Sequence, residues 1–287
     1  AETDNAEVSV AKPDELVFNG GMLPAATAHD EYNVRLTPAQ GGTAPYSYRL
    51  VEGESGATGL PDGLSFDADT FDITGTPSES GVFTFAVECC YAGGADQQAK
   101  TAHFAMAVAP KTIDLAFAGS AFTYNGDPQA PELSGVPAGC DDLVKFAYTG
   151  TGDTRYSSDA APADAGTYRA VATLCANGYV GRASAEFTIA PKPVSFAVNA
   201  PDATYDGNEH GAMVDAYGAN SSDYEVEYRG TNDTEYGPSQ VAPRDSGNYA
   251  AIVQTTNPNL VGSAAKEFKI GKAPQSISGT SAYSGVY

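Results

Sequence analysis

Apolar and polar positions alternate with a period of two along most of this chain, and the apolar sets recur at matched places. Tyr168, Ala170 and Ala172 share one side of a segment whose other side carries Val171 and Thr173. Phe104, Met106 and Val108 alternate in the same way, as do Phe146 with Tyr148 and Val226 with Tyr228. Successive side chains of a strand point to opposite faces, so each segment reads as a half-buried β-strand. Clusters such as Asn125-Gly126-Asp127 and Asp206-Gly207-Asn208 fall between them and mark turns. No stretch carries helical periodicity. About seven short strands per unit, with a turn every 8–12 residues or so, is the pattern of an immunoglobulin-like sandwich.

The pattern repeats at a spacing of 81 residues. Asp164-Ala165-Gly166-Thr167-Tyr168 returns as Asp245-Ser246-Gly247-Asn248-Tyr249, each copy standing just after a proline, Pro162 or Pro243. Tyr124-Asn125-Gly126 returns as Tyr205-Asp206-Gly207, Val180-Gly181 as Val261-Gly262, and Phe187-Thr188-Ile189 as Phe268-Lys269-Ile270. Between them Gly150-Thr151-Gly152-Asp153 matches Gly230-Thr231-Asn232-Asp233 with one residue of slippage. Two homologous domains follow. The Asp-x-Gly-x-Tyr entry to a late strand is what a tyrosine corner needs: Gly supplies the bend, and the Tyr ring buries while its hydroxyl reaches back to an upstream backbone group. Asp164, Gly166 and Tyr168, and Asp245, Gly247 and Tyr249, are therefore expected to build two such corners.

Ala109-Pro110-Lys111 and Ala190-Pro191-Lys192 open the two copies, and Gly271-Lys272-Ala273-Pro274 begins the pattern again, followed by Tyr283-Ser284-Gly285. The expected layout is a flexible segment 1–15, a first sandwich 16–109, repeats at 110–190 and 191–271, and the truncated start of a further repeat at 272–287. Linkers this short predict an all-β chain of tandem sandwiches arranged as an elongated, semi-rigid rod. The first domain has its own signature: Gly59-Leu60-Pro61-Asp62-Gly63-Leu64-Ser65-Phe66, then Phe71-Asp72-Ile73-Thr74-Gly75-Thr76-Pro77, then Gly81-Val82-Phe83-Thr84-Phe85-Ala86-Val87.

Charge narrows the function. The net charge of −21 over 287 residues argues against nucleic acid and anionic membranes, which reward basic residues. Such acidity suits a soluble extracellular monomer. No run of 18 apolar residues exists, so no membrane insertion is expected of this fragment.

The residues of the first domain resemble the bacterial "putative Ig" family of cadherin-like sandwiches, whose hallmark is the LPxGLxF…GTP…GxYxF pattern. Here Asp72 precedes Ile73 where family members often keep Gly. The two later copies resemble MBG-type repeats, the mostly bacterial Ig-like modules of large secreted surface proteins, through the Tyr-x-Gly entry, the Asp-x-Gly-x-Tyr element and the closing Phe-x-Ile strand. The resemblance implies a piece of an extracellular, cell-surface or cell-wall adhesin-like protein of a bacterium, acting as stalk, spacer or binding surface. Its partner would be a host or cell-surface protein or glycan, without cofactor. The alternative is an accessory carbohydrate-binding module of a larger extracellular enzyme. Fold alone does not choose between them.

Several side chains are candidates for chemistry. Cys140 and Cys175 fall at Ser221 and Thr256 in the other copy, present together and absent together, as a bonded pair would be. Cys89 and Cys90 are adjacent; a vicinal disulfide needs a strained turn, and one buried with one exposed thiol is the alternative. Asp67, Asp69 and Asp72 lie close together, but calcium needs six to eight oxygens or so, and no EF-hand spacing is present. His29, His103 and His210 stand apart from any Ser, Cys or carboxylate in catalytic spacing, so a non-enzyme is expected. Tyr46, Tyr48, Tyr91, Tyr156 and Tyr236 are the tyrosines most open to a ligand role, a structural role in turns being favoured for the last two. Asn220 and Asn232 match the glycosylation acceptor pattern, and Lys111 and Lys192, which open the repeats, have no matched Asn and acid for a covalent cross-link.

Overall fold

The computed structural model describes residues 15–42, 44–51, 53, 56–91 and 98–275. Residues 1–14 of the expected flexible segment and 276–287 of the expected further repeat, Tyr283-Ser284-Gly285 included, lie outside them. The described residues form tandem immunoglobulin-like sandwiches built from strands, with one 3₁₀ turn at Asp141–Leu143.

In the first sandwich, strand Gly81–Tyr91 pairs antiparallel with Gln98–Ala109 on one side and Tyr46–Val51 on the other. Gly21–Met22 and Ala26–Thr27 add parallel to Gln98–Ala109. The facing sheet has Asp72–Gly75 between Tyr32–Arg35 and Leu64–Asp67. The period-two pattern explains the core between them: Phe83, Phe85 and Val87 point in with Phe104, Met106 and Val108, and Ile73 is fully buried. Val82, in the outward register of the same strand, is 68% exposed.

Each MBG-like repeat uses a similar plan. In the earlier one, Gly166–Ala176 lies between Tyr179–Ala190 and Lys145–Gly150, with Ala121–Thr123 added parallel to Tyr179–Ala190, and Ala116–Ala118 pairs with Glu132–Ser134. In the later one, Gly247–Thr255 lies between Ser263–Gly271 and Tyr224–Thr231, and Ser195–Asn199 pairs with Met213–Tyr217.

By packing, the chain divides into two compact units. One takes the residues up to 118 with 132–147 and 171–184, and the other takes 119–131, 148–170 and those from 185 onward. The first holds the core of the first sandwich and a second cluster around Leu115, Cys140, Leu174 and Ala183. The second holds a core of Tyr228, Tyr249, Ala251, Phe268 and Ile270, together with the Tyr168–Phe187 ring pair.

Candidate functional site

Two tyrosines organise the repeats. Tyr168 and Tyr249 are each 2% exposed, and each donates its hydroxyl to a backbone carbonyl four residues earlier, Asp164 and Asp245, at 2.8 Å in both cases. The glycine between leaves the phenol its path. A Cβ at Gly166 would stand 3.0 Å from Tyr168 Oη and 2.8 Å from Thr154 Cγ2; at Gly247 the equivalent distances are 2.9 and 2.7 Å, to Tyr249 Oη and Thr234 Cγ2. Burial pushes both phenols up from the ordinary tyrosine range, and the carboxylates of Asp164 and Asp245 add to the shift.

The tyrosines weighed as ligand residues have structural partners instead. Tyr156 meets Tyr168 edge-on at 5.7 Å and donates to Ala160 O at 2.8 Å; Tyr236 meets Tyr249 at 5.6 Å and donates to Val241 O at 2.8 Å. Tyr46, Tyr48 and Tyr91 are half-buried against the first core, because the paired strands Tyr46–Val51 and Gly81–Tyr91 face it at those positions. Among the described residues the exposed tyrosines are Tyr205, 41%, and Tyr217, 61%.

The cysteines are free thiols. The expected Cys140–Cys175 bond is not formed, and strand alternation is the reason. Leu174 is fully buried beside Cys140, so its neighbour Cys175 turns to the opposite, exposed side of the strand. The vicinal pair is likewise unbonded. Strand Gly81–Tyr91 stays extended through both residues, sending Cys89 into the core beneath Tyr48 and Cys90 toward Glu88 Oε2 at 3.4 Å.

The clustered acids serve turns and pairs. Asp67 Oδ1 accepts the backbone N–H groups of Asp69, 2.8 Å, and Thr70, 3.1 Å, which hold its carboxyl below the usual range. Asp72 takes two hydrogen bonds from the Arg35 guanidinium, which lowers it too. Among the described residues no group of three or more His, Cys, Asp or Glu is arranged to hold a metal ion. His210 sits 3.1 Å from Asp206, and Asn220 and Asn232 are exposed in turns.

Unforeseen from the sequence is the joint in which each repeat's last hairpin turn presses on the sandwich before it. In the first unit, Lys111 N–H donates to Gly178 O at 2.7 Å, and Ile113 N–H to Val180 O at 2.9 Å. Gly178 then lies against Ala28, His29 and Ser78. A Cβ there would stand 2.8 Å from Ala28 Cβ, and its φ of +72° suits glycine. His29 stacks on Tyr179 and meets Asn177 O, and Lys111 Nζ pairs with Asp30 at 2.8 Å. In the second unit the same backbone bonds recur 81 positions on: Lys192 N–H to Asn259 O and Val194 N–H to Val261 O, both 2.9 Å. Asn259 replaces Gly178 and uses its side chain. Its Oδ1 accepts Ala165 N–H at 2.7 Å, and its Nδ2 donates to Asp164 Oδ1 at 2.8 Å. The signal in the sequence was the repeated Val-Gly after each turn and the Asn-Gly or Pro-Asn at its tip.

Comparison with known families follows the same division. The sequence profile described as "Putative Ig domain" matches residues 17–109, and that of the MBG domain matches 112–193 and again 196–274. The chain belongs to the MBG domain family. Its two MBG domains follow the first sandwich in the order read from the residues. No curated protein matches the sequence. Solved structures similar to this MBG-family chain include Sidekick-1 immunoglobulin domains 1–5, at 12% identity and a TM-score of 0.35, covering 91% of this chain and 60% of that one. Drosophila N-cadherin EC1-3 gives 9% identity and a TM-score of 0.31 over 88% of this chain and 99% of that one. The N-terminal eight Ig domains of Down Syndrome Cell Adhesion Molecule give 14% and 0.31 over 91% and 42%. The chain thus spans only 60% of the Sidekick-1 structure.

Proposed function

We propose that this MBG-family chain is a non-enzymatic segment of an extracellular adhesin-like protein of a bacterial surface or secretion, with sandwiches at 16–109, 110–190 and 191–271 serving as stalk or spacer. The observation that carries the reading is the joint built twice to one plan. A backbone bond from the linker lysine to the hairpin turn, followed by a second bond two residues on, restrains rotation at the linker itself. A spacer needs that restraint; a free-standing accessory module does not. The acids and tyrosines that invited a chemical role are engaged in turns, ion pairs and core edges, which agrees with a supporting part.

The test is a binding screen of the whole chain against immobilised glycans and extracellular-matrix proteins. Silence across the panel, or saturable binding to a host protein or cell-surface glycan, agrees with stalk or adhesive stalk. Saturable binding to a simple plant or storage polysaccharide would overturn the reading in favour of an accessory carbohydrate-binding module.

A further inference from the structure

We propose that Asp245 and Ser246, with Tyr205 beside them, form a docking surface for the last hairpin turn of one further MBG repeat. The strand before Tyr124 and the strand before Tyr205 end alike, with Tyr124 N–H on Ala190 O at 2.9 Å and Tyr205 N–H on Gly271 O at 2.8 Å. Beside each lies a tyrosine-corner loop, Asp164-Ala165 or Asp245-Ser246. At the earlier position the loop is occupied: Asn259 binds the Ala165 N–H and the Asp164 carboxylate, and Ala165 and Tyr124 are half-buried. At the later position the Ser246 N–H and the Asp245 carboxylate have no partner among the described residues, and Ser246 and Tyr205 are exposed. They line a cavity of about 790 Å³ with Lys272, Ala273 and Gln275.

Ala273 completes the set. It stands two residues after the end of strand Ser263–Gly271, as Lys192 stands two residues after the end of Tyr179–Ala190, so its backbone N–H takes the place from which Lys111 and Lys192 hold a turn carbonyl. The surface therefore offers a turn one backbone donor for its carbonyl, one N–H for an amide oxygen and one carboxylate for an amide nitrogen. An Asn-tipped hairpin turn matches all three. The turn at Asn259 is itself engaged on Asp164, so the occupant is an additional repeat and not the turn already present.

The experiment inserts a second copy of residues 191–271 after Gly271 of the full chain, which restores the linker spacing found at Ala190-Pro191-Lys192. Amide hydrogen exchange by NMR, corrected for intrinsic rates, is read at Ser246 of the first copy. The expected result is at least about tenfold slower exchange than in the natural chain, lost again when Asn259→Ala is placed in the inserted copy alone. Unchanged Ser246 exchange, with the copy's own Ala251 and Val253 amides protected, overturns the proposal. The natural chain gives a second reading that needs no insertion. Ala165 should exchange at least about tenfold slower than Ser246, and Asn259→Ala should bring the two together; equal rates in the natural chain overturn it as well.

Discussion

The imidazole of His29 lies flat on the ring of Tyr179, centroids 3.9 Å apart and planes 4° from parallel, with Nε2 at 2.7 Å from Asn177 O. One side chain of the first sandwich thereby engages both a ring and a carbonyl of the hairpin that follows. Stacked aromatic pairs contribute about 0.5–1.5 kcal/mol beyond area burial. His29→Ala should therefore lower stability by about 1 kcal/mol, read as a shift in urea midpoint by circular dichroism. Arg182→Ala, an exposed substitution on the same hairpin, should stay within about 0.5 kcal/mol. Equal effects of the two would deny the stack any role in the joint.

Gly178→Ala tests the same joint through the backbone. The φ of +72° is unfavourable for alanine, and its Cβ would stand 2.8 Å from Ala28 Cβ and 3.1 Å from Ser78 O. Left-handed backbone costs a non-glycine residue about 1 kcal/mol or more, and the contact with Ala28 adds to that. We expect a loss exceeding that of His29→Ala, with faster exchange at the Lys111 amide. Gly139→Ala, also at positive φ, +79°, but with open space at its Cβ, should cost only the backbone part.

The sequence made the strands, the repeat and the corners legible because each rests on local rules: period-two burial at Phe104, Met106 and Val108, and a glycine two residues before each corner tyrosine. The thiol pairing was misread for a reason of the same kind. Joint presence and absence of Cys140 and Cys175 says nothing about which face each occupies, whereas alternation from Leu174 decides it. Tyr46 and Tyr48 stood open to a ligand role because no repeat position marks them as core, yet their strand, Tyr46–Val51, although marginal in its sheet, turns alternate residues inward. The joints were hidden for a different reason. Asn259 and Asp164 are 95 residues apart, and their pairing depends on the fold of two repeats, not on either alone.

The thiols should rank by exposure under native alkylation. Cys175 reacts first and Cys90 more slowly, while Cys89 and Cys140 are protected until the chain unfolds. Burial pushes the Cys89 and Cys90 thiols up, which lowers the thiolate fraction at neutral pH and slows both further. Intact mass after alkylation in denaturant without reductant should show all four thiols modified. Two unmodified cysteines, released only by reductant, would restore a disulfide.

The corner tyrosines give a pH dependence with a defined sign. In the unfolded chain a tyrosine titrates near pH 10 or so. In the folded chain burial, and then the Asp164 and Asp245 carboxylates, raise Tyr168 and Tyr249 above that. The folded state thus holds its phenolic protons more tightly, so this part of the stability is complete below about pH 10 and is lost as pH rises through the folded values. The phenolate also has no proton left to donate to the Asp164 or Asp245 carbonyl. Tyr168→Phe and Tyr249→Phe should each cost about 1 kcal/mol at neutral pH through the lost hydrogen bond. The double variant should show a shallower decline between about pH 9 and 12, measured as urea midpoints across that range. A decline as steep as that of the natural chain would place the alkaline sensitivity on other tyrosines, Tyr32, Tyr48 and Tyr148, whose phenols are raised by burial as well.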